Sequence, residues 1–465
     1  MGLTSVLITA RDALAAQSYG IAVTGQNITN ANTPGYVRRE ALLQTRIYGN
    51  ETYGGVEVAG LRRSTDKFLE QRHLSSVGRS EASAARDGEL AVLETVFNDL
   101  AGGGIGEALD RIDGSFQQLA VDPSDTIARE DILASLGEFV GRVNETGERL
   151  AQQRTDLLNN MQNVVLDLNQ QADEIASLNG EIRLAQAQGQ DAADLRDRRG
   201  QVLLEMSPIV NIQVVEHADG SILVQAAGAT IVEGSESRDF TVELDANGDV
   251  MLTAARTDGT TSNVTGGLAG GKLAGLVEAR DSDIAAVQSQ LDEYVFDFAT
   301  ALNTQHQAGF SLDGQTGLDL FDLNLVGPPP AGAAQTITVS TDVQGQPIRI
   351  AAAASLATTP GSSANANLIS LVFDQSNIFS GTRTASEGYS DLVGEVGLRR
   401  ASSQRDSTLF EAMEAQFLEL KESVSGVSLD EEMVALTRYQ RAYQAAARVL
   451  SVADEMLEIL LATAR

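Results

Sequence analysis

The chain has 465 residues, with 33 Lys+Arg against 64 Asp+Glu and a net charge of −31. Its length allows about three domains and a sizeable core, while its acidity excludes a long phosphate backbone, and hence nucleic acid, as a partner. Cysteine is absent, which excludes a disulfide framework, a thiolate metal site and a cysteine nucleophile. Three widely separated histidines (His73, His217 and His306), no Trp and 5% aromatics make a poor catalytic inventory and a reasonable one for a helical scaffold.

The first thirty residues show a heptad pattern. Leu7, Leu14, Ile21 and Ile28 fall seven apart, with Leu3, Ala10, Gln17 and Thr24 at the alternate seam position. Arg11 and Asp12 interrupt the apolar residues, so this stretch does not read as a cleaved secretory signal. No window of 18 apolar residues occurs, so no membrane span is expected. The stripe ends in NITNANTPGYVRR at 27–39. Asn30 and Asn32 are residues that tolerate a left-handed helix cap, Pro34 forces Thr33 out of helical geometry, and Pro34-Gly35 suits the centre of a type II turn. An extended segment through VRREALLQTRIY and a short strand at 54–63 are expected next.

Helices are expected at 66–100, 107–120 and, as one long element, 125–205. In the last of these Leu157, Met161, Val164, Leu168, Ile175, Leu178, Ile182 and Ala185 keep a 3–4 spacing, with Gln171 in register. From 209 to 265 the period becomes two, giving strands separated by ADG and ANGD turns. A helix is expected at about 273–307, a second β element in TITVSTD and PIRIAA at 324–350, and helices again near 365 and from 406. At the C-terminus Tyr439, Tyr443, Ala446, Leu450, Ala453, Leu457, Leu460 and Ala464 follow 4–3 gaps, after one short step from Leu436 that overwinds the helix locally. Burying Leu7, Leu14, Ile21 and Ile28 yields about 6–12 kcal/mol at most, against roughly 1–2 kcal/mol of backbone entropy per ordered residue. The ends are therefore expected to be disordered in the free monomer and to become helical on assembly; the rival is a stable pair between them.

The candidate chemistry is sparse. GGLAGGKL at 266–273 matches the first part of a phosphate-binding loop, yet Leu273 stands where a Mg²⁺-binding Ser or Thr is required. DANGD at 245–249 begins like a calcium loop but continues with Val250 and Arg256 at the Gly and Glu positions. His306 lacks a ligand partner at helical spacing, and no nucleophile elbow or H-E-x-x-H occurs. No catalytic residue, cofactor or metal site is expected. The ends are near neutral, with three arginines against two acids in 1–40 and four against six in 429–465, so the acidic charge lies in the middle.

NITNANTPGYVRR resembles the N-terminal signature of bacterial flagellar axial proteins of the rod, hook and hook-associated class, and SGVSLDEEMVALTRYQRAYQAAARVLSVADEMLEILL resembles their C-terminal segment. GGKLAGLVEARDSDIAAVQSQLDEYVFDFATALNTQHQAGFSLDG and DLRDRRGQVLLEMSPIV are similar to the hook–filament junction branch of that family. The resemblance implies a non-enzymatic flagellar part, exported through the type III apparatus without a cleaved signal, extracellular at the distal end of the hook. It implies self-association into a helical ring and contact with hook protein, the next junction protein and an export chaperone. A hook or distal rod protein, a nucleotide-binding enzyme and a secreted coiled-coil adhesin are the alternatives.

The expected fold is mainly α with β insertions: paired terminal coiled-coil helices, a long helical-bundle rod domain and small β-rich outer domains. The expected division is 1–45 and 429–465 for the terminal helices; 46–208, 266–323 and 366–428 for the rod; 209–265 for a small β insertion; and 324–365 for a reduced β outer domain. The residues expected to carry assembly are Leu3, Leu7, Leu14, Ile21, Ile28, Asn30, Asn32, Pro34, Gly35, Tyr36, Tyr439, Tyr443, Leu450, Leu457 and Leu460.

Overall fold

The computed structural model describes residues 2–46, 55–97, 103–256, 258–325 and 327–463. Helix α1 (Leu3–Thr29) is followed by an antiparallel hairpin, β1 (Arg39–Thr45) with β2 (Val56–Arg63), which packs on α1. The expected boundary at 45 falls between two paired strands, and we propose to draw it after Arg63. Ala464 lies outside the described residues, as do residues 47–54 and Gly102 of the glycine run.

The rod begins with α2 (Lys67–Val96), α3 (Ile105–Val121) and α4 (Thr126–Ala187). Asp66 and Asp125 accept backbone N–H bonds from the first turns of α2 and α4, which is why these helices start there. On α4, Leu157, Met161, Val164, Leu168, Ile175, Leu178 and Ile182 are buried, and Ala172 rather than Gln171 fills the gap in the stripe. The single helix expected over 125–205 is two. The first stops at the C-cap Gln188, Gly189 takes a φ of +70°, and α5 (Ala193–Met206) turns back along α4.

Two small antiparallel sheets follow. One orders β3 (Ile212–Glu216), β4 (Ile222–Ala226), β5 (Ala229–Glu233) and β6 (Glu236–Ser237); the other orders β7 (Phe240–Leu244), β8 (Val250–Ala255) and β9 (Thr261–Asn263). Both pack on α4. Helix α6 (Lys272–Glu278) passes through a π segment, Ala279–Ile284, into α7 (Ala285–Gln307). Strand β10 (Phe321–Leu323) pairs with β11 (Ile337–Val339) after the short α8 (Ala333–Thr336). PIRIAA is not a strand: Pro347–Arg349 forms a 3-10 turn, consistent with the missing N–H of Pro347.

After α9 (Ala364–Asp374), α10 (Ala385–Ser425) begins at a Thr384/Glu387 capping box, 21 residues before the expected start at 406. It runs antiparallel to α2, with Arg400 on Asp87 near one end and Ser64 Oγ on the Val424 carbonyl at the other. Helix α11 (Leu429–Thr463) ends the fold. The bundle core is aromatic where α4, α7, α9 and β10 meet: Phe298 lies 5.0 Å from Phe139, 5.6 Å from Phe373 and 6.3 Å from Phe321 between ring centroids.

Candidate functional site

The two terminal helices lie side by side. Asn27 meets Glu432 and Gly20 meets Tyr439, so α1 and α11 run antiparallel. The buried face of α1 is Ala10, Ala16, Gly20, Val23, Thr24 and Asn27. Of the expected heptad, Ala10 and Thr24 lie on this face, whereas Leu3, Leu7, Leu14, Ile21 and Ile28 are half-buried beside it. The physical reason is backbone approach. Small residues let α11 come close, and a Cβ at Gly20 would stand 2.7 Å from the Tyr439 ring. On α11, Tyr439, Ala446, Leu450 and Leu457 are half-buried and share a stripe with Ala453, which is buried. Tyr443 and Leu460 are exposed instead.

At the base of the pair a polar cluster joins the helices to the rod. Glu432 is 2% exposed and accepts from Asn27 Nδ2 at 2.9 Å and from Arg38 Nε at 2.8 Å. Asn27 Nδ2 also donates to the Arg39 carbonyl, and its Oδ1 accepts from the Arg39 N–H and from the Tyr36 hydroxyl. The Arg39 guanidinium lies over the Tyr36 ring at 4.8 Å and donates to Asp194 at 2.6 Å and Asp197 at 2.5 Å on α5. Arg63 donates to the same Asp197. The hydrogen bond to Glu432 holds the Arg38 pKa above its ordinary value. Burial opposes the charge on Arg39, but Asp197 and Asp194 outweigh it and raise its pKa as well. Burial likewise raises the Tyr36 phenol. The cluster thus ties α1, α11, the hairpin and α5 to one point.

The turn leading out of α1 is closed by the Tyr36 N–H donating to the Thr33 carbonyl at 3.2 Å, with Pro34 and Gly35 at its centre. Gly35 has φ +76°, and a Cβ there would also meet Gln201 Oε1 at 2.9 Å. Asn30 caps α1 with its Nδ2 on the Gln26 carbonyl, but at φ −99° it is not left-handed, and neither is Asn32, which is exposed. The left-handed step is Gly35, three residues past Asn32. Of the cluster, Tyr36 is the residue that the motif reading singled out. Asn27, Arg38, Arg39, Asp194, Asp197 and Glu432 were missed, because nothing local links a helix interior, a turn and a distant acid.

The decoy motifs have structural explanations. In GGLAGGKL the N–H groups of Gly271, Lys272 and Leu273 donate to the carbonyls of Gly78, Pro208 and Ile209, so they cannot cradle a phosphate in this conformation. The glycines serve close packing: a Cβ at Gly271 would lie 2.4 Å from the Ile209 carbonyl oxygen, and one at Gly275 would lie 2.1 Å from that of Ala82. In DANGD, Asp245 Oδ1 accepts from the N–H groups of Asn247 and Asp249, which makes a hairpin turn. His306 is fully buried, with Nδ1 on the Leu318 carbonyl and Nε2 accepting from the Ala351 N–H.

A helix pair built from the two chain ends and latched to a helical rod is the arrangement to compare with known proteins. The family model described as the flagellar hook-associated protein FlgK helical domain matches residues 90–321, and that of the flagellar basal body rod FlgEFG protein C-terminal matches 422–463. Flagellar hook-associated protein 1 of Bacillus subtilis is 29% identical, with 97% of this chain and 96% of the relative covered. The chain belongs to the flagellar hook-associated protein 1 family. The Salmonella typhimurium relative of the same name is 25% identical, covering 99% of this chain and 100% of the relative. That alignment runs to 554 positions against 465 residues here, so the relative carries segments that this family member lacks. The solved structure of the flagellar hook junction protein FlgK from Burkholderia pseudomallei matches at TM-score 0.67 and 14% identity, over 77% of this chain and all of that one, which shows the shared fold. Family membership makes this chain a hook-associated component of the bacterial flagellum.

Proposed function

We propose that the chain is a structural adaptor at the distal end of the hook, joining hook to filament by packing its terminal helix pair against neighbouring copies in a ring. The observation that carries this reading is the outer face of α11. Val449, Val452, Met456 and Ile459 follow 3–4 spacing on the side away from α1 and are 48–64% exposed. An apolar stripe of that length on a helix with near-neutral charge suits burial between subunits. The acidic middle, by contrast, suits solvent.

Self-association, contact with hook protein below and the next junction protein above, and delivery by an export chaperone belong to this reading. So does extracellular location after type III export with the N-terminus retained. Support for retention is that Asn27 and Tyr36 are parts of the latch, so α1 is a structural element of the finished subunit. The assigned assembly residues are the fifteen expected above together with the latch.

The test is Val452→Asp and Met456→Asp in one chain, expressed in a strain lacking the native copy. The variant should be exported, fail to accumulate on isolated hook–basal bodies, and leave cells without filaments. Normal filament retention with this double variant would refute the assembly reading.

A further inference from the structure

A small, partly open cavity lies under the latch, where α2, α5, β3 and the end of α10 meet. Its volume is about 180 Å³, below the roughly 300 Å³ at which drug-sized ligands begin. Its lining is basic in a chain of net charge −31. Arg63 is neutralised by Asp197 at 2.7 Å, and Lys67 by Glu216. The remaining charged side chains are Arg196, Arg199 and Lys421 against Glu70. Arg199 donates to Asn179 Oδ1 and the Gly220 carbonyl, neither of them anionic. Arg196 Nε and His73 Nδ1 are both buried without a hydrogen-bond partner, and His73 is 3% exposed. Lys421 and Glu70 sense each other's charge, yet among the described residues they form no ion pair.

An unpartnered arginine N–H, a histidine ring nitrogen that donates in the Nδ1–H tautomer, and three cations facing one acid leave the cavity short of acceptors and of negative charge. A buried donor without an acceptor costs about 1–3 kcal/mol, and a charge-assisted acceptor removes that cost best. We propose that this cavity is a binding site for a small oxyanion, of the class that phosphate, sulfate and short dicarboxylates share, held by Arg196, His73 and Lys421. A ligand there touches α2, α5 and α10 together. It therefore stiffens the joint from which the terminal pair leaves the rod. The binding claim is independent of the assembly reading, because it is read on the monomer.

The experiment is calorimetric titration and thermal unfolding of the full-length monomer with phosphate, sulfate or succinate, each against chloride of equal ionic strength. At least one should bind saturably and raise the midpoint of unfolding. Lys421→Met should weaken that binding about tenfold or more. Glu70→Gln, which removes the opposing charge, should tighten it, and Arg405→Met on the exposed part of α10 should leave it unchanged. The anion bound most tightly identifies the ligand source. If all three anions behave like chloride up to 10 mM, or if Lys421→Met and Arg405→Met bind alike, the cavity holds water and the proposal falls.

Discussion

The latch predicts how firmly the terminal helices are held in the monomer. Glu432→Ala removes the acceptor shared by Asn27 Nδ2 and Arg38 Nε. Breaking a fully buried pair costs about 3–5 kcal/mol, because the remaining partner is left without compensation. Here Arg38 is 23% exposed and keeps Glu40 at 3.2 Å, so part of that cost is relieved by solvent and by the second carboxylate. Asn27 keeps its bond to the Arg39 carbonyl. The expected loss is therefore about 2–4 kcal/mol, felt by the opening of α1 from α11 rather than by the rod, whose core lies elsewhere. Hydrogen exchange of the verified monomer measures it. Amides of α1 and α11 should exchange roughly 30- to 1000-fold faster in the variant, with α4 and α7 unchanged. If the wild-type amides of both ends already exchange at unprotected rates, the pair forms on assembly alone, and the latch has no role in the monomer. Equal loss across the rod would also refute the local argument.

Gly35→Val places a β-branched residue at φ +76° and should cost about 1–3 kcal/mol at the turn, leaving the rod's thermal transition intact while reducing hook-tip assembly; normal motility would count against it. Gly275→Ala drives a Cβ to within 2.1 Å of the Ala82 carbonyl oxygen and should destabilise the rod by more than about 2 kcal/mol in chemical denaturation, whereas Lys272→Ala should leave stability unchanged and equilibrium titration should find no ATP binding to either that variant or the wild type. Burial lowers both His73 and His306 to about 4, below the usual 6.5, so the unfolded chain binds more protons between those values and stability falls as pH drops from 6.5 towards 4. Each histidine should remove about 2 kcal/mol on going from pH 7.5 to pH 5, and denaturation midpoints that do not move over this range would contradict the burial argument.

Periodicity and punctuation were legible in the chain itself. The 3–4 stripe of α4 stated which residues are buried, since a helix of 3.6 residues per turn brings them to one side whatever it packs against. The change to period two announced the sheets of 212–263, and Pro34-Gly35 announced the turn, because φ restrictions are local. Other features depended on neighbours. The break after Ala187 carries no proline, and PIRIAA has strand composition yet becomes a 3-10 turn in its surroundings. Which side of α1 faces α11 was decided by how closely two backbones can approach at Gly20, not by where the leucines lie. The latch is the clearest case: Arg39 meets Asp194 and Asp197 across more than 150 residues, and Asn27 meets Glu432 across 405. A sequence specifies such pairs only through the whole fold, because Coulomb and hydrogen-bond energies depend on distance in space and not on separation along the chain.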